Sequence, residues 1–324
     1  MKSDPSWDLY RTFLAVVEEG SLSGAARRLD LTQPTVARHI DALESAVGYD
    51  LFLRSQRGLI ATEAALELKP YAETLASTSA ALLRAASGYA RTTDGGSVKG
   101  TVRITASEVV GAEHLPPILA RLRQRHPQLV IELVLSNEVS DLLRRDADIA
   151  VRMVEPAQDA LIARRLSGIG LGLFAHRDYL DRRGVPASMT DLAGHDLIGF
   201  DRETPALRGI LRRFPVLNRA AFALRADSDL AQIAAIRAGF GIGGCQIPVA
   251  RRHPDLVHVL AREFELELGM WIVMHEDLKT SPRCRAVFNA LVEGMDATMD
   301  KSAAQTTGSG TSTCDSRSAT IAPM

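Results

Sequence analysis

The sequence predicts an α/β protein overall, with an all-α N-terminal module ahead of a larger α/β domain, and three observations support this. From residue 7 to about 90 apolar residues recur at helical spacing, broken near Gly20, Asp30 and Gly48 and by a short β-like stretch at 51–61. The run TTDGGSVKG at 92–100 is polar and glycine-rich, the composition of a hinge. Beyond it, β-rich runs at 102–106, 130–135 and 148–153 alternate with helical segments such as Leu115–Arg125, the βαβ rhythm of a mostly parallel sheet.

Bulk properties narrow the class. The chain has 324 residues, 46% hydrophobic and 24% charged, which suits two or three compact units and excludes wholesale disorder. No run approaches the roughly 18 uninterrupted apolar residues of a membrane span, and the start MKSDPSWD lacks a basic stretch followed by an apolar one. A cytoplasmic protein without a membrane partner is expected. Cys245, Cys284 and Cys314 are odd in number and far apart, so they make neither a disulfide framework nor a metal knuckle. The net charge of −1 gives no general attraction to nucleic acid, so any such role depends on where the charges sit.

The segment 21–47 reads as two helices around a tight turn: SLSGAARRL, then DLTQ, then a second helix from Gln33. Thr32 is placed to cap it, and Pro34 falls in the first turn, where its missing N–H costs little. Val36, Ile40, Leu43 and Val47 form an apolar stripe, with Arg38 nearly opposite and Pro34 and Thr35 on the outward side. Gln, Thr and Arg near a helix N-terminus suit major-groove reading, since Arg forks onto guanine and Gln onto adenine. Next, LFLRSQRGLIA at 51–61 reads as a hairpin, or wing, with Gly58 in the turn and Arg54 and Arg57 at its tip, in reach of phosphates. Arg27, Arg28, Arg38, Arg54 and Arg57 would together form a basic side. The same spacing also occurs in helical proteins that never touch DNA.

Along 62–89, Leu68, Leu75 and Leu82 repeat every seven residues, with Ala65, Ala72, Ser79 and Ala86 between them. A heptad seam calls for a partner helix, and Pro70 should bend this one. The alternative is a helix packed on its own domain.

The order of residues in FLAVVEEGSLSGAARRLDLTQPTVARHIDALESAVGYDLFLRSQRG resembles the signature of LysR-type transcriptional regulators almost position by position. Thr32-Gln33-Pro34 stands where the family usually has Ser-Gln-Pro, a mild change because Thr also caps; Ala37 stands where Ser is common, and the lost hydroxyl implies a different site preference. The resemblance implies the following organisation: a winged helix-turn-helix at 7–62, a dimerisation helix at 63–91, a hinge at 92–100, and a two-lobed effector domain at 101–298, similar to periplasmic binding proteins. Lobe I would take about 101–168 and 268–298, and lobe II about 169–267. It also implies promoter DNA and a small-molecule effector as partners, and a homodimer that pairs into a homotetramer. No cofactor and no metal or catalytic residue is expected. Thr32, Gln33, Pro34, Thr35, Arg38, Arg54 and Arg57 are the DNA-binding candidates.

Over the effector domain the resemblance is looser. Ser107 and Glu108 would sit at a strand end before a helix, where the family's Ser or Thr often meets effector, and strand ends and helix N-termini suit polar ligands. Asn137 would precede a helix, and Arg152 would end a strand, as a carboxylate partner or a structural ion pair. Phe200 and Asp201 follow a strand at a position that relatives turn toward the cleft. Ser228 would cap a helix whose exposed N–H groups face the cleft from the other lobe.

The residues from 299 are poor in large apolar side chains and are expected to be disordered. Gly239, Gly241 and Gly244 spell G-x-G-x-x-G, but after a helix, so a helix cap leading into a strand is the better reading. His275-Glu276-Asp277 are adjacent and point apart, which makes a poor metal or acid-base cluster. A thiol redox sensor using Cys245 or Cys284, and a small-molecule-binding protein or enzyme that does not read DNA, are the alternative functions.

Overall fold

The computed structural model describes residues 4–55, 58–88, 98–137, 146–156 and 161–307. The chain divides into two compact units. One comprises Met1–Arg103 with Gln128–Glu132 and Glu138–Asp148, and the other Ile104–Pro127, Leu133–Asn137 and Ile149–Met324.

The first unit is built on α1 (Trp7–Glu19), α2 (Leu22–Leu29) and α3 (Gln33–Val47), followed by a hairpin of β1 (Phe52–Ser55) and β2 (Gly58–Ala61). Each of the three breaks seen in the sequence is a left-handed residue that ends a helix: Gly20, Asp30 and Gly48. Asp is one of the few side chains that enters this region readily. Phe13, Val16, Ala25, Val36, Leu43 and Leu51 are fully buried, so the predicted α3 stripe faces the core.

α4 (Glu63–Ser87) follows, with Pro70 inside it. Ala65 and Ala72 are buried in the core of this unit, with Leu68 and Ala76 packed against it. The seam is thus divided: its first half meets the chain's own helices, whereas Leu75 and Leu82 remain exposed. A 25-residue helix presents several faces, and a heptad count does not say which partner each face meets. At its far end, Arg84 is 6% exposed and its Nε donates to Asp148 Oδ2 at 3.1 Å; the Arg103 N–H donates to the same oxygen at 2.9 Å.

The remaining strands and helices are β3 (Gly100–Ala106), a π-helical turn (Val110–His114), α5 (Leu115–Arg125), β4 (Leu129–Leu135), β5 (Ile149–Arg152), β6 (Leu161–His176), α6 (Arg177–Arg183), β7 (Leu197–Gly199), α7 (Pro205–Arg213), β8 (Phe222–Arg225), α8 (Asp229–Arg237), β9 (Ile242–Gln246), α9 (Ile247–Ala250), β10 (Leu256–Val259), β11 (Leu266–His275) and α10 (Pro282–Thr307). The sheet runs β4-β3-β5-β11-β6-β9-β7-β8, with β10 also on β6. β3–β5, β7–β8 and β7–β9 are parallel, but β11 is antiparallel to β5 and β6, and β6 to β9 and β10. The expected mostly parallel sheet is thus parallel at β3–β5 and across β9-β7-β8 and antiparallel in the middle, because the chain crosses on β6 and returns on β11.

α10 runs to Thr307, so residues 299–307 are helical where disorder was expected. Helix formers such as Met299, Lys301, Ala303, Ala304 and Gln305, added to an existing helix, avoid the cost of nucleating one. The rest of the tail, and most of the hinge, lie outside the described residues.

Candidate nucleic-acid interface and effector cleft

Thr32 caps α3, its Oγ1 accepting from the Thr35 N–H at 3.3 Å and lying 2.8 Å from Thr35 Oγ1. Gln33, Pro34 and Arg38 are exposed and Thr35 is half-buried, on the side of α3 away from the stripe. Thr12 Oγ1 and His39 Nδ1, 2.8 Å apart, join α1 to α3. In the hairpin Ser55 faces Gly58, whose φ is +125°, and Arg54 is exposed. Arg57 lies outside the described residues. Arg28 pairs with Glu18 and Glu19, so its charge is locally neutralised and the expected basic side is smaller. Among the described residues Arg27, Arg38 and Arg54 have no ion-pair partner.

Two features of the head were not foreseen. The Glu44 carboxylate accepts from the N–H groups of Leu51 at 2.7 Å and Phe52 at 3.2 Å, fixing the entry to the wing. The Leu59 N–H donates to the Gly20 carbonyl at 2.9 Å, which fastens the wing to the α1–α2 turn. The only available signal was an acid near the end of α3.

In the second unit, Ser107, Glu108, Asn137 and Ser228 come together. Ser107 follows β3, and its Oγ is shielded from solvent without a hydrogen-bond partner among the described residues. The Glu108 N–H donates to Asn137 Oδ1 at 3.1 Å, and Asn137 Nδ2 donates to Asp229 Oδ2 at 2.8 Å. Glu108 Oε2 accepts from Ser228 Oγ at 2.8 Å and from the Leu230 N–H at 3.4 Å. Ser228 also caps α8, as expected, accepting from the Ala231 N–H. The N–H groups expected to be open at the start of α8 are therefore partly engaged by Glu108, a carboxylate bound where an anion is favoured. Burial pushes the Asp229 carboxyl up from its ordinary range; the Asn137 hydrogen bond opposes this and the negative Glu108 adds to it.

Arg152 ends β5 and is 3% exposed, with Nη2 donating to Thr105 Oγ1 at 2.8 Å and Nη1 to the Val151 carbonyl at 3.2 Å. Phe200 is half-buried after β7. Asp201 is turned to Arg219, which donates to its carboxylate at 2.6 Å and to its carbonyl at 3.0 Å. The last two are therefore not joined to the Ser107 cluster by any described hydrogen bond.

Other signals resolve simply. Gly239 ends α8 with φ +71°, and a Cβ on Gly241 would lie 2.0 Å from the Asp196 carbonyl, so these glycines serve the turn into β9. Glu276 pairs with Lys279. Among the described residues no three His, Cys, Asp or Glu side chains are placed to hold a metal ion, and no helix is long and apolar enough to cross a membrane. Cys245 and Cys284 are buried, and burial pushes the Cys245 thiol up to about 12, away from the reactive thiolate.

A capped helix with an exposed polar start, a fastened wing, a long helix and an α/β domain crossed twice define the class: a winged helix-turn-helix protein with a ligand-binding domain. Residues 7–66 match the family described as bacterial regulatory helix-turn-helix protein, lysR family, and residues 95–296 match the LysR substrate binding domain. The chain belongs to the LysR family of transcriptional regulators.

It is 30% identical over 183 residues to an HTH-type transcriptional regulator of Xanthomonas campestris pv. campestris, covering 56% of this chain and 52% of that one. It is also 30% identical over 188 residues to CrgA of Neisseria meningitidis serogroup C, covering 58% and 61%. These matches span only about half to three fifths of the relatives' own lengths. The solved structure of CrgA, from Neisseria meningitidis, aligns with a TM-score of 0.54 at 26% identity over 88% of this chain and 97% of that one. Full-length CbnR, solved in complex with its target DNA, aligns with a TM-score of 0.63 at 20% identity over 89% and 99%, a likeness of fold.

Proposed function

We propose that the chain is a sequence-specific DNA-binding transcription regulator, controlled by a small molecule held between the two lobes, and not an enzyme. The observation that supports it most is α3 itself. Its apolar stripe is buried, and Gln33, Pro34 and Arg38 stand exposed around a capped N-terminus beside a tethered wing. On this reading Thr32, Gln33, Pro34, Thr35 and Arg38 meet the major groove, and Arg54 and Arg57 meet the backbone. Such a protein acts in the cytoplasm.

In the effector domain Ser107 is the leading ligand contact, because its shielded hydroxyl lacks a partner among the described residues. Glu108, Asn137 and Ser228 surround it, Arg152 is a buried cation at the neighbouring strand end, and Phe200 and Asp201 are more peripheral. Exposed Leu66, Tyr71, Leu75, Leu82 and Leu83 on α4 favour pairing of two copies through that helix, with tetramers as dimers of dimers. Two-fold pairing sets the recognition helices on half-sites about one DNA turn apart.

The test is equilibrium binding to DNA from upstream of the chain's own coding region, against scrambled competitor and across a salt series. Arg38→Ala is expected to lose about 1–3 kcal/mol of cognate affinity with the fold intact. Unchanged affinity and specificity in that variant would remove α3 as the reading element.

A further inference from the structure

Away from the Ser107 cluster, α5, α9 and α10 line an open concavity of about 640 Å³. Small-ligand sites fall between roughly 300 and 1,000 Å³. None of Ser107, Glu108, Asn137, Arg152 or Ser228 lines it. Its apolar walls include Pro117 and Ile118 from α5, Pro248 from α9 and Gly294 from α10. Gly294 allows the close approach: a Cβ there would lie 2.7 Å from the Ile118 side chain.

Four arginines line the same space, Arg121 and Arg125 on α5 and Arg251 and Arg252 just after α9, against the single carboxylate of Glu293. Arg121 and Arg125 are four residues apart on one helix face, where like charges repel. Both are exposed, and among the described residues neither has an ion-pair partner. Arg252 donates to the Glu113 carbonyl at 2.5 Å and lies 3.6 Å from its carboxylate. Arg121 and Arg125, with two further guanidinium groups beside them and one carboxylate facing all four, give an apolar concavity a positive rim complementary to a compact molecule with several negative charges. The concave form suits a small ligand better than the extended backbone of a nucleic acid.

We infer that this cavity is a second ligand site, which takes a small molecule with at least two negative charges, a phosphate ester or a polycarboxylate. Guanidinium forks match both oxyanions in bidentate geometry. The apolar walls take the body of the molecule, and Arg121 and Arg125 supply the first charge contacts. α5 follows β3 and α9 follows β9, strands on opposite sides of the β11–β6 pair, so a bound anion would tie the two lobes together. It would also compete with Glu113 for Arg252.

The experiment is titration calorimetry of the full chain with pyrophosphate and, separately, with citrate at constant ionic strength. At least one should bind saturably, and the double variant Arg121→Gln/Arg125→Gln should weaken that binding about tenfold or more, as expected when charge-assisted hydrogen bonds are lost. Arg251→Gln should weaken it too, while Arg54→Gln and Ser107→Ala leave it unchanged. Preference for pyrophosphate assigns a phosphate ligand and preference for citrate a polycarboxylate. Both α5 arginines are exposed, so the double variant should melt as the parent does without ligand; if it does not, the Arg251→Gln result decides. The absence of saturable binding by either probe, or binding indifferent to these substitutions, overturns the site.

Discussion

Replacing Asp148 with Asn should loosen the far end of α4. The Arg84 and Asp148 side chains keep only 7% and 5% of their exposure, so both charges have lost nearly all their hydration. Their 3.1 Å contact and the Arg103 N–H on the same oxygen offset that loss. Taking the charge from one partner of a buried pair weakens the compensation of the other, which costs up to about 3–5 kcal/mol. Asn keeps the shape and an acceptor for the Arg103 N–H, so the lower end, about 3 kcal/mol, is expected. The chain has two tryptophans, Trp7 in this unit and Trp271 outside it, so urea unfolding in a Trp271→Phe background isolates the signal of Trp7. With a urea dependence of roughly 1–3 kcal/mol per M, the midpoint should fall by about 1–3 M. The apolar pair Arg84→Leu/Asp148→Leu should recover much of the loss, because no lone charge stays buried. A shift below about 0.5 kcal/mol, or a double variant as poor as the two single losses added, would show that the pair is hydrated and weak.

Three further outcomes follow from particular residues. Gly58→Ala forces a side chain into φ +125° with its Cβ 2.6 Å from the Gly20 carbonyl; it should cost about 1–3 kcal/mol and lower DNA affinity, and an unchanged thermal midpoint would contradict the turn seen here. Asp229→Asn should flatten the acid dependence of stability. Because burial raises the native carboxyl, its contribution is full below its ordinary value of 3.8 and is lost as pH rises through the raised native value. The variant should therefore match the parent in strong acid and exceed it near neutrality, and denaturation at a series of pH values reads the difference. Cys245 and Cys284 should react with a maleimide only on unfolding, followed by mass spectrometry of their peptides; rapid labelling of either in the native protein would revive the thiol-sensor reading.

The head was almost fully legible in the sequence because its signals are local. Thr32 caps its own helix three residues on, Gly20 and Gly48 end helices within a turn, and the stripe from Val36 to Leu43 needs only helical geometry to declare itself. What escaped depends on contacts distant along the chain. The embrace of Ser228 by Glu108 spans 120 residues and the link from Asn137 to Asp229 spans 92. No local pattern says that a carboxylate from one strand end will cap a helix on the other lobe. The α4 seam was legible only in part for a related reason: periodicity shows which side chains share a face, but only tertiary packing decides that Ala65 and Ala72 meet their own core while Leu75 and Leu82 stay exposed. The antiparallel middle of the sheet was hidden because strand direction is not written in composition.

The two crossing strands carry a mechanical consequence. β6 and β11 are hydrogen-bonded partners from Leu161–His275 to Leu171–Leu266, with a register slip between Leu268 and Met270 where Ser167 and Gly168 lie opposite Gly269. Two single connections could act like a door on a pin and let one lobe swing at no cost. A bonded ribbon has no free axis: rotating one lobe must add or remove twist along the whole ribbon, with the bulge as its softest point. The connection is thus a torsion spring with a preferred angle, so a ligand between the lobes would have to wind it, and on leaving would let it unwind toward the same starting geometry.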